Sequence, residues 1–136
     1  MSAIGVSRSV LADVPLLAGA DEVSLAALAA EAEPLRVLAG DWALREGDEA
    51  GELYVVLRGR LRAVAADGRT LRVLGPGAAI GELALLTGAP RSASVQAIRD
   101  STLLRLPRER FDELIARDAH FAATVARELA ILLQAS

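Results

Sequence analysis

Two side chains near the middle of the chain, Glu82 and Arg91, have the types and spacing of a small-molecule site. They lie nine residues apart in a segment that begins at Gly81 and reads Gly-Glu-Leu-Ala-Leu-Leu-Thr-Gly-Ala-Pro-Arg-Ser-Ala-Ser-Val. A carboxylate accepts hydrogen bonds from a sugar hydroxyl, and a guanidinium holds one phosphate through two parallel bonds. The pair therefore indicates a ligand that carries both a sugar and a phosphate.

The residues around this pair favour an anion site. A short helix is predicted to start near Glu82, and the free backbone N–H groups at a helix N-terminus attract anions. Gly88 and Pro90 shape a tight turn that can aim Arg91 back at the same point. Room for a ligand to approach the backbone comes from small side chains at Ala84, Ala89, Ser92 and Ala93.

An ordinary salt bridge between Glu82 and Arg91 is the alternative interpretation of the pair. Glu82 cannot bind the phosphate itself, because like charges repel. It must face a sugar hydroxyl or pair with a cation. The spacing of two residues alone would favour the salt bridge, whereas the fifteen-residue context favours the ligand site.

The other chemistry-bearing residues predict neither a metal site nor catalysis. His120 is the single histidine and the chain has no cysteine, so a multi-histidine or thiolate metal site cannot form. His120 is expected to be a surface or capping residue. No histidine lies close enough in sequence to Ser92 or Ser94 to suggest a nucleophilic triad.

Composition limits the partners of the chain. Its 136 residues fit one domain, and the net charge of −3 argues against a dedicated nucleic-acid binder. The absence of cysteine fits a cytoplasmic protein, and no signal pattern or membrane-length apolar run predicts membrane insertion. Five arginines lie in the predicted strand region: Arg58, Arg60, Arg62, Arg69 and Arg72. They could form a nucleic-acid-binding patch, but the acidic balance of the chain favours a solvated face of the sheet.

Helical periodicity is confined to the two ends of the chain. The first helix is predicted after the cap Asp21 and ends by Pro34, and its apolar positions are Leu25, Leu28, Ala29 and Ala32. From Leu35 to about Arg105 the chain is predicted to form short strands separated by turns. Asp67-Gly68 predicts a tight hairpin in which both residues have positive φ.

Two further helices are predicted at the C-terminal end. Pro107 suits the first position of a helix whose apolar face is Phe111, Leu114 and Ile115. After a break near Asp118, the second helix carries an apolar stripe of Phe121, Val125, Leu129, Leu132 and Leu133. This helix reaches Ser136 without a stop signal, so we expect the chain to be part of a larger protein.

The segment Gly81–Val95 resembles the phosphate-binding cassette of the cyclic nucleotide-binding domain family, which includes the catabolite activator protein and the regulatory subunits of protein kinase A. The resemblance extends over nearly the whole chain. It implies a mainly β (α+β) fold: an eight-stranded antiparallel jelly-roll β-roll with an N-terminal helix, a short phosphate-binding helix and two C-terminal helices. The implied boundaries are a helical N-terminus at about 1–33, the β-roll at about 34–106 and lid helices at about 107–136.

The same resemblance implies a role for each cassette residue. Glu82 would bind the ribose 2′-hydroxyl and Arg91 the cyclic phosphate, with Gly81 at the start of the cassette. Backbone N–H groups of Leu83, Ala84 and Ala93 would complete the phosphate cradle, with the Ser92 hydroxyl nearby. We expect cAMP to be preferred and keep cGMP as the alternative, because a serine at position 92 can serve either base.

The resemblance implies a regulatory, allosteric sensor that performs no chemistry itself. Its cyclic nucleotide would signal to an effector domain outside this chain, such as a bacterial patatin-like phospholipase, and a homodimer could form through the C-terminal helix. Direct binding to nucleic acid is not expected. The alternative is a degenerate fold that has lost its ligand and serves as a protein interaction module.

Overall fold

The computed structural model describes residues 9–14, 17–45, 47, 52–81 and 93–135. Residues 9–12 are helical, and the elements after them are, in order, α1 (Glu22–Glu31), β1 (Glu33–Val37), β2 (Trp42–Leu44), β3 (Glu52–Val64), β4 (Thr70–Leu74), β5 (Ala79–Ile80), β6 (Ser94–Pro107), α2 (Arg108–Arg117) and α3 (Ala119–Ala135). The expected antiparallel β fold with flanking helices is confirmed.

The sheet is organised around its two long strands, β3 and β6. They pair antiparallel from Glu52 opposite Pro107 to Val64 opposite Ser94. At one end they are flanked by β1, on β6, and by β5, on β3; at the other end the flanking strands are β2 and β4. Each long strand therefore has different neighbouring strands at its two ends.

Both long strands bend where these two parts meet. Their register shifts repeatedly between Val56 and Leu61, and Gly59 there has a φ of +104°. The hydroxyl of Ser101, only 2% exposed, accepts a hydrogen bond from the Arg60 N–H at 3.1 Å and donates to the Arg99 carbonyl at 2.8 Å. The bend brings Val56 and Leu61, from the two halves of β3, into the same apolar cluster.

This bend also explains a difference in strand number. The resemblance implies eight strands, whereas the described residues form six, because β3 and β6 each continue through the bend as one strand. The class of fold is as expected. The physical reason for the difference is that backbone pairing persists across the corner with shifted register instead of breaking there.

The β3–β4 hairpin forms where it was predicted, but the turn type was predicted wrongly. The Gly68 N–H donates to the Ala65 carbonyl at 2.9 Å, so the turn is one residue longer than a two-residue loop. Gly68 has a φ of +86°, whereas Asp67 does not adopt positive φ. The Asp67 side chain instead accepts from the Arg69 N–H at 2.9 Å, a role that needs only ordinary backbone geometry.

The helix ends are set by their capping residues. Asp21 accepts from the Ser24 N–H at 2.7 Å and begins α1, and Asp118 accepts from the Phe121 N–H at 3.0 Å and begins α3. Pro107 was predicted as the first residue of α2 but is its N-cap, with an extended ψ of 141°, because it still belongs to β6.

Candidate functional site

Apolar residues face each other inside the curled sheet, next to the strands from which the predicted cassette starts and at which it ends. These residues form one buried cluster that contains Val37, Leu44, Tyr54, Val56, Leu61, Leu74, Ile80, Val95, Ala97 and Leu103. In β3 the cluster contains Tyr54 and Val56 before the bend and Leu61 after it. Tyr54 and Val56 follow the alternation of a strand, whereas Leu61, an odd number of residues further on, faces the same cluster because the register shifts at the bend. The interior of the roll is therefore a water-poor environment, in which a polar ligand group gains more from charged partners than in bulk water.

Both ends of the predicted cassette lie on this roll. Gly81, with a φ of +89°, directly follows β5. Ala93 directly precedes β6, and the cassette ends at Val95, the second residue of that strand. Gly77 donates to the Val56 carbonyl at 2.8 Å and Ala78 accepts from the Val56 N–H at 2.8 Å, which fixes the approach to β5 on β3. The site residues predicted between these ends, Glu82, Leu83, Ala84, Arg91 and Ser92, lie outside the described residues.

Strand β5 contacts two different cores through consecutive residues. Ile80 belongs to the cluster inside the roll, whereas Ala79 belongs to a second cluster between the sheet and the helices. The residue after Ile80 is Gly81, the first residue of the cassette. A displacement of the cassette would therefore act on both cores through this two-residue strand.

The second cluster joins all the helical elements to the outer side of the sheet. It combines Leu11, Val14, Leu17, Leu25, Leu28, Ala29, Leu53, Val55, Ala79, Leu106, Phe111, Leu114, Phe121 and Val125. Phe111 of α2 and Phe121 of α3 meet edge to face, with ring centroids 5.6 Å apart. Beyond Val125 the stripe of α3 is partly open to solvent, and Ile131 and Leu133 are about half exposed.

The described charges on the helical side form surface ion pairs. Arg110 of α2 contacts Glu113 at 3.1 Å and Glu31 of α1 at 3.6 Å, and the hydrogen bond that its guanidinium donates to the Glu113 carboxylate raises the pKa of Arg110. Beside them, between α1 and α2, lies a cavity of about 290 Å³. It contains none of the predicted site residues.

The remaining sequence candidates behave as surface groups. His120 is exposed in the first turn of α3. Within the described ranges, no group of three or more potential ligand side chains could hold a metal ion. None of the described helices is long and apolar enough to cross a membrane.

Sequence reasoning did not identify the interior walls or the double contact of β5. Leu61 and Ala63 alternate with Arg60 and Arg62, a pattern that predicts a strand with one buried and one solvated face. The structure confirms this pattern, since Leu61 and Ala63 are buried. No local signal marks Ala79 and Ile80, because their two environments are set by strands distant in sequence.

Comparison with known proteins identifies the family of the chain. Residues 34–118 match the family model of the cyclic nucleotide-binding domain. The chain belongs to the cyclic nucleotide-binding domain family. The matched range includes the entire cassette from Gly81 to Val95 and every strand of the roll except the first residue of β1. The family predicted from the resemblance of the cassette is thereby confirmed.

The similar proteins include phospholipase relatives and a kinase regulatory domain. An NTE family protein of Mycobacterium tuberculosis is 34% identical over 130 residues, which are 96% of this chain and 22% of that protein. The Lysophospholipase NTE1 of Chaetomium globosum is 37% identical over 107 residues, 76% of this chain and 7% of that protein. The chain therefore spans a minor part of these relatives.

A solved structure of a regulatory domain has a fold similar to that of this chain. The regulatory domain of Toxoplasma gondii PKA, crystallised with cAMP, superposes with a TM-score of 0.76 and 34% sequence identity. The alignment covers 81% of this chain and 43% of that one. The structural neighbour is thus a ligand-bound regulatory domain with the same arrangement of strands and helices.

Proposed function

We propose that this cyclic nucleotide-binding domain is a cAMP sensor that controls an effector domain of lysophospholipase type. The observation that carries the proposal is the complete cassette, with Glu82 and Arg91 both present, inserted between two strands of the roll. The cAMP-bound regulatory domain from Toxoplasma gondii and the phospholipase relatives support the ligand and the effector respectively. The chain itself acts as the regulatory part and the effector supplies the chemistry, in the cytoplasm.

In this proposal each cassette group binds one part of the nucleotide. Arg91 pairs with the cyclic phosphate, and the backbone N–H groups of Leu83, Ala84 and Ala93 surround the same anion. Glu82 accepts from the ribose 2′-hydroxyl. The Ser92 hydroxyl would lie beside this phosphate cradle, and because it both donates and accepts, it would discriminate only weakly between adenine and guanine.

Isothermal titration calorimetry with cAMP and cGMP tests the proposal. Arg91→Ala should weaken cAMP binding by roughly 2–5 kcal/mol, because one side of a desolvated charge pair is lost. Glu82→Ala should cost less, because its partner hydroxyl is neutral. Arg58→Ala is the matched control: Arg58 is exposed on β3, and its side chain has no described partner, so affinity should not change.

Two results would contradict the proposal. If native chain gives no heat and no thermal stabilisation with either nucleotide, the fold serves as a ligand-free interaction module instead. If Arg91→Ala binds cAMP as tightly as the native chain, with its circular dichroism spectrum intact, Glu82 and Arg91 form only a salt bridge. A native preference for cGMP would correct the base assignment, and Ser92→Thr should shift the preference toward cGMP.

The proposed transmission route begins at β5. Ligand draws the cassette inward, Gly81 absorbs the backbone change, and Ala79 passes the displacement to the cluster beneath α2 and α3. Because Phe111 and Phe121 pack against each other there, the two helices should move together. The partly exposed end of α3 then repacks over the roll or against a partner helix, including that of a second copy.

A further inference from the structure

The outer face of the sheet at the bend carries a concentration of exposed arginines. Arg60 of β3 lies directly opposite Arg99 of β6, and Arg58 lies opposite Thr102, which in turn pairs with Arg36 of β1. All four arginines are exposed. The face opposite to the buried roll interior is therefore strongly positive, although the whole chain has a net charge of −3.

These arginines have almost no acidic partners. Of the four, within the described part of the chain, Arg36 alone approaches a carboxylate, that of Asp100 at 4.0 Å, and Asp100 also accepts a hydrogen bond from the Ala39 N–H at 2.9 Å. Among the described residues, the side chains of Arg58, Arg60 and Arg99 make no hydrogen bond or ion pair. Like charges directly opposite each other in a sheet are destabilising, so the Arg60–Arg99 pair costs the fold stability without a compensating internal contact.

Exposed apolar side chains lie near the arginines, on β6 and on the neighbouring strand β4. Leu71 and Val73 of β4 are 50% and 51% exposed, and Ile98, next to Arg99, is 46% exposed. Val73 lies opposite Arg62, whose guanidinium is held by the Gln96 side chain at 2.7 Å and by the Thr70 hydroxyl at 3.1 Å. Arg62 thus links β4 to β3 and β6 through these side-chain hydrogen bonds.

We propose that this basic sheet face, made of Arg58, Arg60, Arg99, Leu71, Val73 and Ile98, docks on the surface of an anionic phospholipid bilayer. Guanidinium groups bind lipid phosphates in a bidentate manner, and the neighbouring aliphatic side chains enter the interfacial layer. The proposal goes beyond nucleotide sensing and does not depend on it, since the face lies outside the roll interior.

The aromatic residues argue against a nucleic-acid partner for this face. Single-stranded nucleic acids stack their bases on exposed aromatic rings. The chain has four aromatic residues: Tyr54, Phe111 and Phe121 are buried, and Trp42 is covered by the Arg45 guanidinium 5.0 Å from its ring centroid. Exposed aliphatic groups beside arginines suit a lipid interface better.

Vesicle flotation tests the proposal. The 136-residue chain is mixed with vesicles of phosphatidylcholine alone or of phosphatidylcholine with phosphatidylglycerol. We expect binding to the anionic vesicles only, weakened by added salt. Arg60→Glu should lower the partition coefficient roughly 25-fold, about fivefold for each unit of charge changed at an anionic surface.

The same variant separates docking from folding. Arg60→Glu replaces a like-charge pair with an opposite-charge pair, so its unfolding temperature should equal or exceed that of the native chain. Arg127→Glu is the matched control, because it makes the same change in net charge on the exposed side of α3. It should bind anionic vesicles nearly as well as the native chain.

Three results would overturn the proposal. One is equal loss of binding in Arg60→Glu and Arg127→Glu, which would indicate an effect of net charge alone. Another is unchanged vesicle binding in Arg60→Glu. The last is failure to bind anionic vesicles while an oligonucleotide binds in a manner that Arg60→Glu abolishes, which would make the face a nucleic-acid surface.

Discussion

Gly59→Ala is the substitution that most directly tests the bend on which the roll depends. Gly59 has a φ of +104°, and a Cβ there would lie 2.2 Å from the Ser101 Oγ and 2.6 Å from the Ser101 Cα. Left-handed backbone costs an L-residue about 1–2 kcal/mol, and overpacking adds about 1–3 kcal/mol. The free energy of unfolding should therefore fall by roughly 2–5 kcal/mol.

Gly68→Ala is the matched control for backbone strain alone. Gly68 has a φ of +86°, but a Cβ there would meet nothing within 4 Å. This variant should lose only about 1–2 kcal/mol, so the two variants should differ by about 1–3 kcal/mol. In thermal unfolding that difference corresponds to roughly 4–12 °C for a domain of this size.

Urea and thermal denaturation followed by circular dichroism measure both variants. Equal destabilisation by Gly59→Ala and Gly68→Ala would refute the reasoning, since it would mean that β3 and β6 do not approach closely at the bend.

The remaining predictions concern the helices. Phe121→Ala removes a buried ring packed on Phe111 and should cost about 3–5 kcal/mol in urea denaturation; a loss below 1 kcal/mol would contradict this packing. The pKa of Asp21 is lowered, chiefly by the hydrogen bond from the Ser24 N–H. The stabilisation that this carboxylate gives is present above the ordinary aspartate pKa of about 3.9 and is lost as pH falls through its lowered folded-state pKa. Asp21→Asn should therefore make the free energy of unfolding depend less on pH in the acid range. An unchanged pH dependence would contradict the cap. Hydrogen exchange across residues 119–135 should slow in the last turns of α3 when cAMP binds, and equal protection with binding confirmed would exclude α3 as the switch.

Local sequence patterns predicted the features that depend on neighbouring residues. The cassette could be recognised because its chemistry is concentrated in fifteen consecutive residues. The cap at Asp21, the break near Asp118 and the wet and dry faces around Leu61 were also predictable, because capping and alternation act over one to four residues. That Asp118 also caps α3 was seen only in the structure. The hairpin at Gly68 was predicted in position but not in turn type, since loop length depends on strand register.

The tertiary structure decided the features that join distant parts of the chain. The approach of Gly59 to Ser101, the opposition of Arg60 and Arg99, and the contact of Ala79 and Ile80 with separate cores all require pairing between strands far apart in sequence. Strand register is set by the sum of packing on both faces of the sheet, and no single segment contains that information. The family was therefore predictable from the sequence, whereas the bend, the basic sheet face and the contact of β5 with two cores arise only when the sheet curls.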